Sequence, residues 1–138
     1  MALETTIVFE TSVPVPLTCA DGTAIAKGAL LTISDPFTVA TTTGDTDPII
    51  GIAAESKVAG DGVTKIPVYM TGIFKGYAGA AGVTVGQAII SDTGTGAANE
   101  LVNADVDSEH IVGRALETAT DGQTFLFQLN PFSVNLAV

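Results

Sequence analysis

The chain has 138 residues, with fifteen acidic and five basic side chains, and its formal net charge is −10. This length favours one domain, and the charge argues against binding nucleic acid phosphates, which needs clustered lysine and arginine. Charged residues make up 14% of the chain, against about 25% in an average domain, which favours a surface partly covered by a partner.

Few features of the sequence indicate a cellular compartment. Cys19 is the single cysteine, so no disulfide can form within the chain, and a lone thiol fits folding in a reducing cytosol. We expect no signal peptide, because no charged segment precedes a long apolar run. No apolar run approaches about 18 residues, so we expect no membrane association.

Residues 1–17 are predicted to form an extended arm outside the core. A short strand is expected over residues 5–9, after which Pro14 and Pro16 enforce extended backbone and remove two amide donors. Arms of this kind often lie on a neighbouring subunit, and a partly disordered terminus is the alternative. Residues 18–138 are then expected to form a single β domain.

The stretch 49–74 is the strongest local signal, with two apolar runs separated by a polar tip. Asp61-Gly62 in this tip predicts a tight type I′ turn, because both residues tolerate a positive φ. The second run alternates, so one face is expected to be buried. The outward set is Lys65, Pro67 and Tyr69, and the inward set is Ile66, Val68 and Met70.

A weaker copy of this stretch lies about 60 residues downstream, which indicates one β unit used twice. We expect the repeat to cover residues 24–77 and 83–129. Further strands are predicted at 29–34, 37–40, 84–91, 100–103 and 132–138, and no capped apolar stripe of helical period is present. The fold class is therefore all-β, a compact barrel of two similar hairpin units. Its expected structural turn residues are Gly51, Asp61, Gly62, Gly113, Asp121 and Gly122.

Asp92-Thr93-Gly94 follows an apolar run and matches the D-T-G of aspartic proteases, where two such aspartates share a proton. The spacing to the apolar-Gly-Arg segment at 111–114 leaves no room for a flap, so a glycine-rich turn is favoured. A Cys19–His110 dyad stays open as a remote alternative.

Asp105, Asp107 and Glu109 alternate and would share a face on extended backbone, which is a pattern able to hold calcium. The EF-hand spacing is absent, and a solvated acidic loop is favoured. One histidine and one cysteine are too few for a zinc site. We therefore expect no catalytic residues, no metal site and no cofactor.

The order of these segments resembles the capsid decoration (cement) proteins of tailed bacteriophages over roughly residues 24–129. The resemblance rests on a glycine-containing apolar run, an apolar-Gly-apolar-Ala strand, a glycine-containing turn and an alternating strand. The first round occupies residues 27–33, 49–54, 60–62 and 66–74, and the second occupies 85–90, 111–115 and 124–129. The shorter lambda-type head decoration proteins look like more distant relatives.

The resemblance implies a β-tulip or compact barrel that sits as a homotrimer on the outer surface of an icosahedral head. Its partners would be the major capsid protein and neighbouring trimers, and it would stabilise the head against the pressure of packaged DNA. The protein would be made in the host cytoplasm and reside in the virion. Expected capsid or subunit contacts are Thr5, Ile7, Phe9, Val13, Pro14 and Pro16.

Three other functions compete with this one. A β-rich fibre or adhesin subunit would share the composition, although such proteins usually carry export signals. Another head or tail structural subunit is the second rival. A small D-T-G aspartic protease is the remote third.

Overall fold

The computed structural model describes residues 4–43, 47–92, 99–104 and 110–131. These residues form eleven β-strands and no helix, which confirms the predicted all-β fold. Within the same ranges, nothing resembles a helix that is long and apolar enough to cross a membrane. The strands are β1 (Thr6–Phe9), β2 (Val15–Cys19), β3 (Leu30–Asp35), β4 (Thr38–Thr41), β5 (Ile49–Ala53), β6 (Lys65–Tyr69), β7 (Gly72–Tyr77), β8 (Ala88–Ser91), β9 (Leu101–Asn103), β10 (Gly113–Ala115) and β11 (Thr124–Leu129).

Five strands close into a barrel in the order β2-β4-β3-β5-β6. β2 and β4 are parallel, and the other neighbours are antiparallel. Ile66 and Val68 of β6 are buried while Lys65 is exposed, as the alternation of this strand predicts. The barrel core contains Leu17, Cys19, Ile25, Ala29, Leu31, Val39, Ala53, Ile66 and Val68.

The remaining six strands form a sheet in the order β1-β7-β11-β10-β8-β9. Its buried face packs against side chains from β3 and β5 of the barrel, so the barrel and the sheet share a hydrophobic core. The barrel contributes Leu30, Ile49 and Ile52, and the sheet contributes Phe74, Ile89, Leu101, Ala115, Phe125, Phe127 and Leu129.

Followed in the other direction around the closed barrel, the strand order is β2-β6-β5-β3-β4. Five strands of the sheet repeat this order as β7-β11-β10-β8-β9. Backbone hydrogen bonds match as well: Gly28 N–H donates to Ala53 O at 2.9 Å, and Gly86 N–H donates to Ala115 O at 2.8 Å. The boundaries of the expected first repeat, residues 24–77, do not match the strands of the barrel. The expected repeat includes β7, which lies in the sheet, and it leaves out β2, which lies in the barrel.

The connection between β5 and β6 is not the tight turn that Asp61-Gly62 predicted. The two strands do pair, with Ile52 opposite Tyr69, but residues 54–64 separate them. Gly62 has a φ of 79°, whereas Asp61 is not among the residues with positive φ, so the type I′ turn is wrong. The longer connection folds back so that Lys57 pairs with Ile25.

Gly51 and Gly113 are strand residues rather than turn residues, since they lie in β5 and β10. A Cβ atom at Gly51 would collide with the carbonyl oxygen of Tyr69, and one at Gly113 would collide with that of Gln128. The two glycines are needed because the backbones approach closely, not because the chain turns. Gly122 has a φ of 78° in the β10–β11 connection, next to Asp121.

The N-terminal segment is part of the fold, in contrast to the expected arm. β1 pairs with β7 of the same chain, and β2 crosses the expected boundary at residue 17 with Leu17 only 1% exposed. Pro16 lies opposite Pro67 between β2 and β6. Neither proline has an N–H, so this pair fits the non-hydrogen-bonded position of an antiparallel ladder, and the prolines do not exclude a strand.

Three expectations lie outside the described residues. They are the last strand at 132–138, the acidic stretch with Asp105, Asp107 and Glu109, and the Thr93-Gly94 part of the D-T-G match.

Candidate docking surface

One end of the barrel carries several exposed apolar side chains. The starts of β2, β4 and β5 and the ends of β3 and β6 point toward this end, and the strands are staggered so that Thr38 at the start of β4 lies beside Thr18 near the end of β2. Val15 begins β2, and Phe37 lies in the turn between β3 and β4. We name the Phe37 end after this turn, and we include with it the segment that enters β2, which carries the exposed side chains of Phe9, Val13 and Val15.

The segment joining β1 to β2 is held to the end of β6 and the crossover to β7 by polar side chains. The hydroxyl groups of Thr11 and Ser12 each lie 2.7 Å from the hydroxyl of Thr71. The Tyr69 hydroxyl donates to Glu10 Oε1 at 2.8 Å, and this bond raises the pKa of Tyr69. These contacts fix the backbone while Phe9 and Val13 remain 63% and 81% exposed.

The turn between β3 and β4 places an aromatic ring in solvent on a strained backbone. Phe37 is 69% exposed and has a φ of 52°, the one positive φ outside glycine among the described residues. Pro36 before it fixes a negative φ, and that order of signs belongs to type II turns, which favour glycine or asparagine at the second central position. The Phe37 carbonyl accepts the Thr18 N–H at 2.8 Å, which ties the turn to β2.

The expected contact residues divide into two groups. Phe9, Val13 and Pro16 are exposed, whereas Ile7 and Pro14 are half-buried. Thr5 is only 3% exposed, and its hydroxyl has no hydrogen-bond partner among the described residues. Thr5 and Ile7 therefore belong to the packing of the chain on itself. Phe37 is not among the contact residues that the sequence predicts, because it begins the strand expected at 37–40.

The opposite end of the barrel is closed by a buried lysine. Lys57 Nζ donates to the carbonyl oxygens of Asp21 and Thr23 at 2.9 and 2.8 Å, and to that of Val58 at 3.2 Å. Asp61 Oδ1 lies 3.5 Å from the same nitrogen. Asp61 also accepts the N–H groups of Val58 and Val63, so the ammonium and the carboxylate act together as structural braces.

Cys19 and His110, the two residues of the possible dyad, act on different neighbours. Burial raises the pKa of Cys19, which opposes the thiolate that a nucleophilic cysteine needs. The largest effect of a neighbouring charge on this thiol comes from Lys57. The charge of His110 instead acts on Asp47, where it helps the Thr43 N–H to lower the pKa of that carboxyl.

No group of metal-ligating side chains occurs within residues 4–43, 47–92, 99–104 and 110–131. A groove beside β8, β10 and β11 carries no histidine, cysteine or carboxylate among its described lining residues. Arg114 in this groove donates to Gly86 O at 3.2 Å. The lining residues are Ala88, Ile111, Gly113, Arg114, Gln128 and Asn130.

A family model described as phage cement protein matches residues 9–129. The chain belongs to the phage cement protein family. The match covers most of the chain and confirms the resemblance seen in the glycine and apolar segments. It includes the whole barrel and all of the sheet except the first residues of β1.

The fold of this cement protein is also similar to a solved structure from a phage. The N base of the head fiber gp8.5 of bacteriophage phi29 aligns with a TM-score of 0.58 and 19% identity. The alignment covers 84% of this chain and 93% of the other, and at this identity it shows the fold alone. A comparison with curated protein sequences finds no match.

Proposed function

We propose that this protein binds the outer surface of an icosahedral phage head as a homotrimer and stabilises the head against internal DNA pressure. The observation that carries the proposal is the cement family match across residues 9–129. The Phe37 end supports it, because exposed aromatic side chains such as those of Phe9 and Phe37 are typical of protein contact surfaces. The virion would be its place of action after synthesis in the host cytoplasm.

The mechanism would be mechanical. Packaged DNA loads the seams between subunits of the major capsid protein, and a trimer that bridges a seam adds contacts that must break before the seam opens. Three linked copies bind more tightly than one, because the second and third contacts form at high effective concentration. A three-fold trimer also matches three equivalent docking points on the shell and could contact neighbouring trimers.

The exposed members of the predicted contact set, Phe9, Val13 and Pro16, are proposed to reach the shell or a neighbouring subunit. Thr5, Ile7 and Pro14 would support the same segment from beneath. This division follows from their burial.

The test uses DNA-filled heads purified without this protein. Purified protein is added, bound copies are counted by mass spectrometry against the major capsid protein, and DNA release on heating is followed with an intercalating dye. Decorated heads should release DNA at a higher temperature than bare heads. Saturated binding with an unchanged release temperature would reject the stabilising role, and light scattering of the free protein separates a trimer from a monomer.

A second candidate is the mounting base of a fibre on the head, which the fold similarity to the phi29 head fiber base favours. Electron microscopy of heads with and without the protein distinguishes the two. A cement role predicts a bound layer and stabilised heads. A fibre base predicts sparse attachment sites, projecting density when a further fibre component is present, and no change in DNA release.

A further inference from the structure

We infer that the Phe37 end is the face that meets the head, with Phe37 inserted into an apolar pocket that has a basic rim on the shell protein. This inference rests on the proposed function and adds the face and the anchoring residue. It commits to the protein surface of the shell as the occupant, in preference to a second copy of this chain.

The conformation of Phe37 is the first argument. A phenylalanine with a φ of 52° is disfavoured at this turn position, where glycine or asparagine would relieve the backbone. Within the described chain, the ring gains little in return, because it is 69% exposed. A large exposed aromatic side chain held rigidly on a strand turn is well suited to anchor an interface, since little conformational freedom remains to be lost on binding.

The exposed apolar and acidic side chains of this end are the second argument. Phe9, Val13 and Val15 are exposed on the segment that enters β2, and the part that carries Val13 is already fixed by the Thr71 contacts. Glu10 and Asp35 add carboxylates at the rim of the same end. With a net charge of −10 on the chain, a basic surface is the favoured partner, and two copies of this acidic end would repel each other.

The opposite end of the barrel is a weaker candidate. Val58 and Val63 are exposed there. Both lie in the connection between β5 and β6, however, and the contacts of Lys57 and Asp61 within this connection account for its conformation without a partner. It contains no exposed aromatic side chain among the described residues, and it therefore provides a matched control.

The deciding variant is Phe37→Asn, since asparagine tolerates the left-handed backbone and removes the ring. Affinity for bare DNA-filled heads is measured by titration with labelled protein, and the thermal midpoint of the free protein is measured in parallel. We expect binding to weaken by about tenfold or more, as for an interface anchor, with a midpoint equal to or above that of the wild type. Val58→Asn at the opposite end should bind as the wild type does.

The charge argument has its own measurement. Wild-type binding should weaken as sodium chloride is raised, and Asp35→Asn should weaken binding at low salt and reduce this salt dependence. Equal salt dependence in both proteins would overturn the basic rim.

The outcomes separate the inference from the function on which it rests. If wild-type protein does not bind heads, both are rejected. If it binds and Phe37→Asn binds equally well, only the Phe37 assignment is rejected. Weak binding with a lowered midpoint would make Phe37 a structural residue. Loss of the free trimer in Phe37→Asn, detected by light scattering, would make a second copy the occupant and overturn the inference.

Discussion

Gly51 and Gly113 occupy corresponding places in β5 and β10, and each faces a backbone carbonyl of the strand that follows it in the chain. The missing side chain is what permits this approach. The β5–β6 pair of the barrel and the β10–β11 pair of the sheet therefore have the same requirement for a residue without a side chain. We expect substitution of either glycine to have a similar effect on stability.

Gly51→Ala and Gly113→Ala should each lower the free energy of unfolding by about 2–4 kcal/mol, because the added Cβ forces the paired backbones apart. Gly22→Ala is the matched control, since a Cβ there would meet no atom within 4 Å, and its effect should stay within about 0.5 kcal/mol. Urea unfolding followed by circular dichroism measures all three. A harmless Gly113→Ala would contradict the close approach in the sheet.

Asp61 gives the barrel a defined response to acid. The N–H of Val63 has the largest effect in lowering the pKa of this carboxyl, and the N–H of Val58 and the Lys57 charge act in the same direction. The pKa of Asp61 in the folded state lies below its value in the unfolded state. At pH values between these two pKa values, the unfolded state therefore binds more protons. The stability contribution is therefore present above the unfolded pKa, near 3.8, and is lost as the pH falls through the folded pKa.

We expect wild-type stability to fall below about pH 4 and the Asp61→Asn variant to lose less over the same range. Urea midpoints between pH 2 and pH 6 measure the difference, with Asp121→Asn as the control in the corresponding connection of the sheet. Parallel pH profiles for wild type and Asp61→Asn would contradict the assignment to Asp61.

For single residues, the sequence can show that a residue is important without showing its structural role. The matching glycines were recognised from their spacing, but a turn and a close approach require the same residue. The sequence alone does not single out Lys57, because its burial depends on carbonyl groups from Asp21 and Thr23, which are far away in the sequence. Phe37 begins the strand predicted at 37–40, and its positive φ depends on the turn as a whole.

Among the elements, β2 best shows how tertiary pairing overrides local signals. Pro14 before it and Pro16 within it predict an arm, yet the strand lies between β4 and β6, and Leu17 enters the barrel core. The alternation of β6 could be read from the sequence because it depends on one strand alone. The pairing of β7 with β11 could not, since the chain continues from β6 to β7 with only a short interruption.

Leu17→Ala tests the place of β2 in the fold. It should lower the free energy of unfolding by about 2–4 kcal/mol, because it removes a buried side chain and leaves a cavity. Val13→Ala, four residues earlier in an exposed position, should change it by no more than about 0.5 kcal/mol. If both variants unfold at the urea concentration of the wild type, residues 13–17 do not form part of the core in solution.

For the whole molecule, the shared core decides whether the barrel and the sheet behave as one body. Leu30, Ile49 and Ile52 come from barrel strands but pack among the side chains of the sheet. The proposed role of carrying load across a seam would need such coupling, because a barrel that opened independently would release its contact while the sheet stayed folded.

The two tyrosines of the chain allow this coupling to be measured. Tyr69 ends β6 of the barrel with its ring packed 5.5 Å from that of Phe74 in the shared core, and Tyr77 ends β7 in the sheet. Tyr77→Phe leaves a fluorescent reporter at the contact between barrel and sheet, and Tyr69→Phe leaves one in the sheet. In each variant the tyrosine signal should change together with the circular dichroism signal on heating, as in a two-state transition. Adding Ile52→Ala to either variant removes a barrel side chain from the shared core, so both reporters should move to lower temperature by a similar amount. A shift confined to the Tyr69 reporter would mean that the contact between barrel and sheet opens while the sheet stays folded, and the proposed load-bearing role would then need a partner to couple the two.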